Sequence, residues 1–96
     1  MSADVLIYLT SWCPYCHAAK ELLGEKKARF VEVDVDGRQD LRGWLTKTTG
    51  QRTVPQVFIN GRSVGGFSDL SALDEAGELD ELLAAAPPAD LAALPR

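Results

Sequence analysis

The stretch Cys13-Pro14-Tyr15-Cys16 constrains this chain more than any other. It follows a short apolar run, Val5-Leu6-Ile7-Tyr8-Leu9, and opens a segment whose apolar residues recur at helical spacing. A strand feeding a helix that begins with two thiols, with a second strand after it, is a redox arrangement. Two intervening residues put both sulfurs on one helical turn. That is near enough for a disulfide once the turn has the right geometry. Cys13 then sits at the helix N-terminus and Cys16 inside the first turn. Unpaired N–H groups point out of that end, and the helix dipole is positive there. Both favour a thiolate on Cys13, which makes it the attacking sulfur and Cys16 the resolving thiol. Pro14 suits the first helical position, because the N–H it lacks would have no intrahelical partner.

Other uses of the pair fit less well. A structural zinc ion needs four ligands, and the chain offers two cysteines and one histidine, His17. No metal site is therefore expected. Cys13-Pro14-Tyr15-Cys16-His17 also matches the attachment pattern of a c-type haem. Met1 is the sole methionine available as a second axial ligand, and Met1-Ser2-Ala3-Asp4 has neither the basic region nor the apolar core of a secretory leader. A purely structural disulfide across so short a loop would constrain the unfolded chain very little. His17 reads as a solvent-facing helix residue rather than a base.

A length of 96 residues corresponds to one small domain. With 46% hydrophobic and 25% charged residues the chain is globular rather than disordered. Its net charge of −4 argues against general binding to nucleic acid or anionic membranes. No run approaches the roughly 20 apolar residues of a membrane span. Two cysteines are too few for a secreted disulfide scaffold, so a reducing cytoplasm is the expected compartment, where such a pair is more often catalytic.

The remaining elements follow from periodicity and punctuation. Tyr15, Ala18, Ala19, Leu22 and Leu23 mark a helix from Pro14 to about Leu23, with His17, Lys20 and Glu21 on its other face. Residues Phe30 to Val35 form a second, alternating strand. Leu41, Trp44 and Leu45 indicate a helix from Asp40 to Thr49, stopped by Gly50. Gln56-Val57-Phe58-Ile59 is a strand, Asn60-Gly61 a hairpin turn, and Arg62-Ser63-Val64 the return strand. Ser68-Asp69 reads as a helix start, and Glu78 to Ala86 as a last helical piece. Pro87-Pro88 ends regular structure, and the Ala- and Pro-rich tail is expected to fray. The order is β-α-β-α-β-β-α. A right-handed crossover pairs the first two strands in parallel, and the hairpin adds an antiparallel pair. The expected fold is α/β, a mixed four-stranded sheet flanked by helices on both faces.

Three segments in this order resemble the glutaredoxin family, within the thioredoxin-like fold: Cys13-Pro14-Tyr15-Cys16, Thr53-Val54-Pro55 and Gly65-Gly66-Phe67-Ser68-Asp69. The resemblance runs from about Val5 to Leu83. It implies a glutaredoxin domain over residues 1–86 and a tail over residues 87–96. It also implies a cis peptide bond before Pro55, and a site for glutathione. In that site Ser68 and Asp69 meet the γ-glutamyl end. The backbone N–H groups of that helix start bind its carboxylate, and Asp69 pairs with its ammonium. The glycine carboxylate meets Gln51 and Arg52, and the peptide backbone pairs with Val54 as an added strand would. Tyr15, Thr53, Pro55 and Gly66 complete the site, with Gly65 and Gly66 leaving room for close approach.

Two positions depart from the family pattern. Thr10 stands where many members carry a lysine that helps bind the glycine carboxylate, so either Arg52 or Lys20 compensates or affinity for glutathione is lower. Phe67 stands where some members have a cysteine or a polar residue. Trp12 would either shield the thiols or pack against the domain.

The implied activity is reduction of protein disulfides and protein–glutathione mixed disulfides. Glutathione serves as co-substrate and no cofactor is tightly bound. Family potentials of about −200 to −230 mV lie near the glutathione couple, so the reaction would run with the glutathione pool. A monomer without nucleic-acid or membrane partners is expected. Two alternatives stand beside this reading. One is an iron–sulfur carrier bridging two chains, which Pro14 disfavours. The other is a thioredoxin-type redoxin reduced by a flavoenzyme.

Overall fold

The computed structural model describes residues 2–96, and Met1 lies outside them. The sheet is built on β1 (Val5–Leu9), whose five residues are all buried. A strand apolar at every position can only be central, because both of its faces must be covered. It lies between β2 (Val31–Asp34), parallel to it, and β3 (Gln56–Ile59), antiparallel to it, in the order β2-β1-β3-β4. The edge strand β4 (Arg62–Gly65) returns from β3 through Asn60 and Gly61. Both turn residues have positive φ, 51° and 79°, as the tight hairpin turn with right-handed twist demands.

Alternation along β1 sends Val5, Ile7 and Leu9 to one face and Leu6 and Tyr8 to the other. On the first face they meet α1 (Pro14–Glu25), α3 (Phe67–Glu75) and α4 (Leu79–Ala84) through Ala19, Leu23, Leu70, Leu79 and Leu83. On the second they meet α2 (Gln39–Thr49) through Leu41 and Leu45, with Trp44 against Tyr8 and Phe58. Truncating a wholly buried leucine such as Leu23 or Leu70 to alanine would cost about 2–5 kcal/mol. These side chains fix the angle at which α1 and α3 present their N-termini. Lys26, which caps α1, bridges Asp74 at 2.6 Å and Asp80 at 3.1 Å. It thus ties the far end of α1 to the ends of α3 and α4. The α/β fold, the mixed sheet and the helices on both faces are as expected, with α4 separated from α3 by Gly77 at a φ of 76°. Among the described residues, no helix is long and apolar enough to cross a membrane.

The tail differs from its expected fraying. The Tyr8 hydroxyl donates to the Pro95 carbonyl at 2.6 Å, Leu94 packs against the second apolar cluster, and Leu91 lies half-buried close to Gly61. A buried phenol needs an acceptor, and the tail supplies it, with Leu94 packed against the cluster that contains Tyr8.

Candidate active site

Cys13 caps α1 with extended backbone, φ −88° and ψ 118°, and Pro14 takes the first helical position. The Cys13 sulfur accepts the Cys16 N–H at 3.4 Å, and its thiol donates to the Val54 carbonyl at 3.5 Å. Both cysteines are free thiols. Cys16 is only 1% exposed and packs in the first apolar cluster. Burial pushes its thiol up to about 11, because the low-dielectric surroundings penalise the anion. The Val54–Pro55 bond is cis, as the resemblance implies. The aromatic residues flanking Cys13 in sequence stand in solvent, Trp12 at 77% and Tyr15 at 65% exposure.

Two openings flank Val54, the residue whose carbonyl accepts from the Cys13 thiol. A groove of about 270 Å³ runs between the 51–55 loop, which supplies Gln51, Thr53, Val54 and Pro55, and the first turn of α3, which supplies Gly66, Phe67, Ser68 and Asp69. Tyr15 joins it from α1, its ring 6.4 Å from that of Phe67. A second cleft of about 440 Å³ contains Cys13 itself, with Thr10, Trp12, Asp36, Arg42 and Val54. Trp12 therefore borders the thiol rather than packing into the core.

The start of α3 corrects two expectations. Gly66, not Ser68, is the N-cap, and Ser68 lies inside the first turn. The Asp69 carboxylate accepts the Gly66 N–H at 3.0 Å, which satisfies one of the amides a helix start leaves unpaired. Gly65 has a φ of 101°, and a Cβ there would run into the Asp69 carboxylate. The space at Gly65 thus serves Asp69 rather than an approaching ligand. One Asp69 oxygen caps the helix, and the exposed carboxylate still borders the groove.

Arg52, expected at the glycine carboxylate, does not line the groove. Its carbonyl accepts from the Arg42 guanidinium at 3.3 Å. Lys20 lines neither opening and pairs with Glu32 at 3.1 Å. The cation sharing the cleft with Thr10 and Cys13 is Arg42, which reading the sequence does not single out. The available signal is weak: Arg42 adjoins the Leu41–Leu45 stripe, at the boundary between covered and exposed helix surface. Phe67 likewise emerges as part of the groove lining. His17 is exposed on α1.

Chemically, the site offers a sulfur at a helix N-terminus with two adjoining openings. One contains the start of a second helix with a carboxylate, and the other a guanidinium. Helix N-termini bind carboxylates through free N–H groups and the dipole, and a carboxylate and a guanidinium bind charge of opposite sign. This arrangement suits a zwitterionic peptide thiol.

Comparison with known proteins points the same way. The glutaredoxin family model matches residues 5–64. The chain is 51% identical over 81 residues to a glutaredoxin of Pseudomonas aeruginosa, a match covering 84% of this chain and 96% of the relative. It is 48% identical over 81 residues to glutaredoxin 3 of Escherichia coli, covering 84% and 98%. Among solved structures it resembles a buckwheat glutaredoxin–glutathione complex, with a TM-score of 0.80 and 31% identity, covering 84% of this chain and 76% of that one. It also resembles glutaredoxin from Brucella melitensis, with a TM-score of 0.78 and 45% identity, covering 85% and 89%.

Proposed function

The chain belongs to the glutaredoxin family, a glutathione-dependent thiol–disulfide oxidoreductase, and on that premise we propose roles for the residues around Cys13. The Cys13 thiolate, held by the Cys16 N–H and the start of α1, attacks the glutathione sulfur of a protein–glutathione mixed disulfide. A Cys13–glutathione disulfide forms, and the protein sulfur leaves as a thiolate and takes up a proton. A second glutathione thiolate then attacks the glutathione sulfur of that intermediate, releasing oxidised glutathione and restoring Cys13. With a protein disulfide, Cys13 forms the mixed disulfide and Cys16 resolves it. The protein leaves reduced, and the Cys13–Cys16 pair is returned to thiols by two glutathione molecules.

Bound glutathione lies along the groove. Its γ-glutamyl carboxylate meets the free N–H groups at the start of α3, near Ser68, and its ammonium meets Asp69. Its peptide backbone pairs with Val54 in the manner of an added strand, between Tyr15, Thr53, Pro55 and Gly66. Its glycine carboxylate reaches toward Gln51 and the Arg42 guanidinium, which takes the part first given to Arg52. On the same reading residues 1–86 carry the activity and residues 87–96 add stability. The protein works as a monomer in the reducing cytoplasm on disulfide-containing and glutathionylated proteins. Glutathione is a co-substrate, and no cofactor stays bound.

The observation that carries this reading is that the groove and the cleft containing Cys13 share Val54, whose carbonyl accepts from the Cys13 thiol. A coupled assay tests it. Turnover should depend on glutathione with glutathione reductase, while thioredoxin reductase alone should support little. Equal rates with thioredoxin reductase and no glutathione would reject the groove's assignment.

A further inference from the structure

Gln56 is wholly buried, and it is the one polar residue among the buried side chains of the described chain. It follows Pro55 at the start of β3 and pairs across the ladder with Tyr8. An amide is costly to bury unless its groups are paired. Only one half of this amide is paired. Its Nε2 donates to the Gln51 side-chain oxygen at 2.9 Å and to the Thr53 carbonyl at 3.0 Å. Its Oε1 has no partner among the described residues. An apolar side chain would avoid that cost, so stability alone does not account for glutamine here. Both acceptors belong to the 51–55 loop, which has no ladder of its own to hold it.

The effect on the groove follows from the planarity of the peptide. In a trans peptide the C=O and the next N–H point in opposite directions. Gln56 draws the Thr53 carbonyl inward beneath the loop. The Val54 N–H, on the same peptide unit, is thereby turned outward toward the groove. We propose that Gln56 is a positioning residue: its side-chain amide clamps the loop from below and aims the Val54 N–H at the peptide backbone of the bound thiol. The proposal rests on the reading of the groove as the glutathione site and adds the element that sets its main-chain donor.

Gln56→Met keeps the volume and removes both donations. With a low-molecular-weight glutathione mixed disulfide as the varied substrate, its KM for that mixed disulfide should rise about tenfold, the loss expected for a misaligned hydrogen bond. The rate of Cys13 alkylation by iodoacetamide, which needs no groove, should stay within about twofold at temperatures well below unfolding. An unchanged KM in the folded variant overturns the proposal, and so does an alkylation rate that falls in step with the KM effect. A measurement on the unaltered protein serves if the variant does not fold. Titration with glutathione should shift the Gln56 side-chain NH₂ and the Val54 amide resonances together, and a Val54 shift with the Gln56 signals unmoved would also overturn it. A wild-type rate that never saturates in the glutathione mixed disulfide would instead remove the groove assignment beneath the proposal.

Discussion

Cys13 and Cys16 stand on the same turn of one helix, and they occupy opposite environments. Cys13 belongs to a rim with Trp12, Tyr15 and the two openings, where a substrate sulfur can arrive. Cys16 belongs to a floor of buried side chains, with Leu23 and Leu70 in the same apolar cluster. One sulfur is offered to solvent partners, and the other is held protonated and out of reach of anything except its neighbour. The division follows from helix geometry. The cap residue projects from the end of α1, while a residue in the first turn can face the sheet. Changes at the rim should therefore read out in rate or affinity, and changes in the floor in route or stability.

The hardest test of that division is Cys13→Ser. It should reduce all activity, on disulfides and on mixed disulfides alike, to the background without enzyme, in the coupled glutathione assay. Residual turnover would break the distinction outright. Cys16→Ser is the sharper probe of the floor. It should keep deglutathionylation and lose the two-thiol reduction of protein disulfides, and equal loss of both would mean that Cys16 acts at the rim after all. Asp69→Asn follows in size. It keeps a cap acceptor and removes the charge that faces the ammonium of glutathione. The KM for a glutathione mixed disulfide should rise about tenfold with little change in kcat at saturation. A kcat defect of the same size would move Asp69 from binding to chemistry.

Alkaline pH addresses the floor directly. Burial raises the Cys16 thiol from an ordinary 9.0 to about 11. Between those values the unfolded chain binds fewer protons than the folded one, so stability falls as pH rises. The reduced protein should keep its full urea midpoint below pH 9.0 and lose stability as pH approaches 11. Cys16→Ser should lack that part of the loss. Identical pH profiles would show that the buried thiol contributes nothing to the transition.

Much of this was legible in the chain itself, because each signal was local. Five apolar residues before two thiols fix β1 and α1, and Asn60-Gly61 fixes the hairpin. The groove's loop and helix start were legible through the resemblance of short segments. What escaped depends on partners far apart in sequence. Arg42 reaches the Cys13 cleft only because α2 crosses the sheet. Serine is a good cap by type, which points to Ser68. Gly66 holds that position because Gly65 turns the chain at positive φ and Asp69 bonds back to it. An Ala- and Pro-rich tail carries no local signal for docking, and its anchor is a buried phenol on the first strand.

That anchor gives the smallest and most discriminating prediction, since it lies in the floor on the α2 face, away from both cysteines. Burial holds the Tyr8 phenol above its ordinary range, with Arg96 pulling it back in part. The phenol stays protonated and donates to Pro95. Tyr8→Phe removes that donor and keeps the ring against Trp44 and Phe58. The loss should be about 1 kcal/mol, or roughly 4–8 °C in thermal midpoint for a domain of this size. Hydrogen exchange should quicken at residues 91–96, and kcat/KM should not change. If activity fell while the midpoint held, the Tyr8 hydroxyl would act on the site itself, and the separation of rim from floor would fail at a side chain buried on the opposite face of the sheet from Cys16.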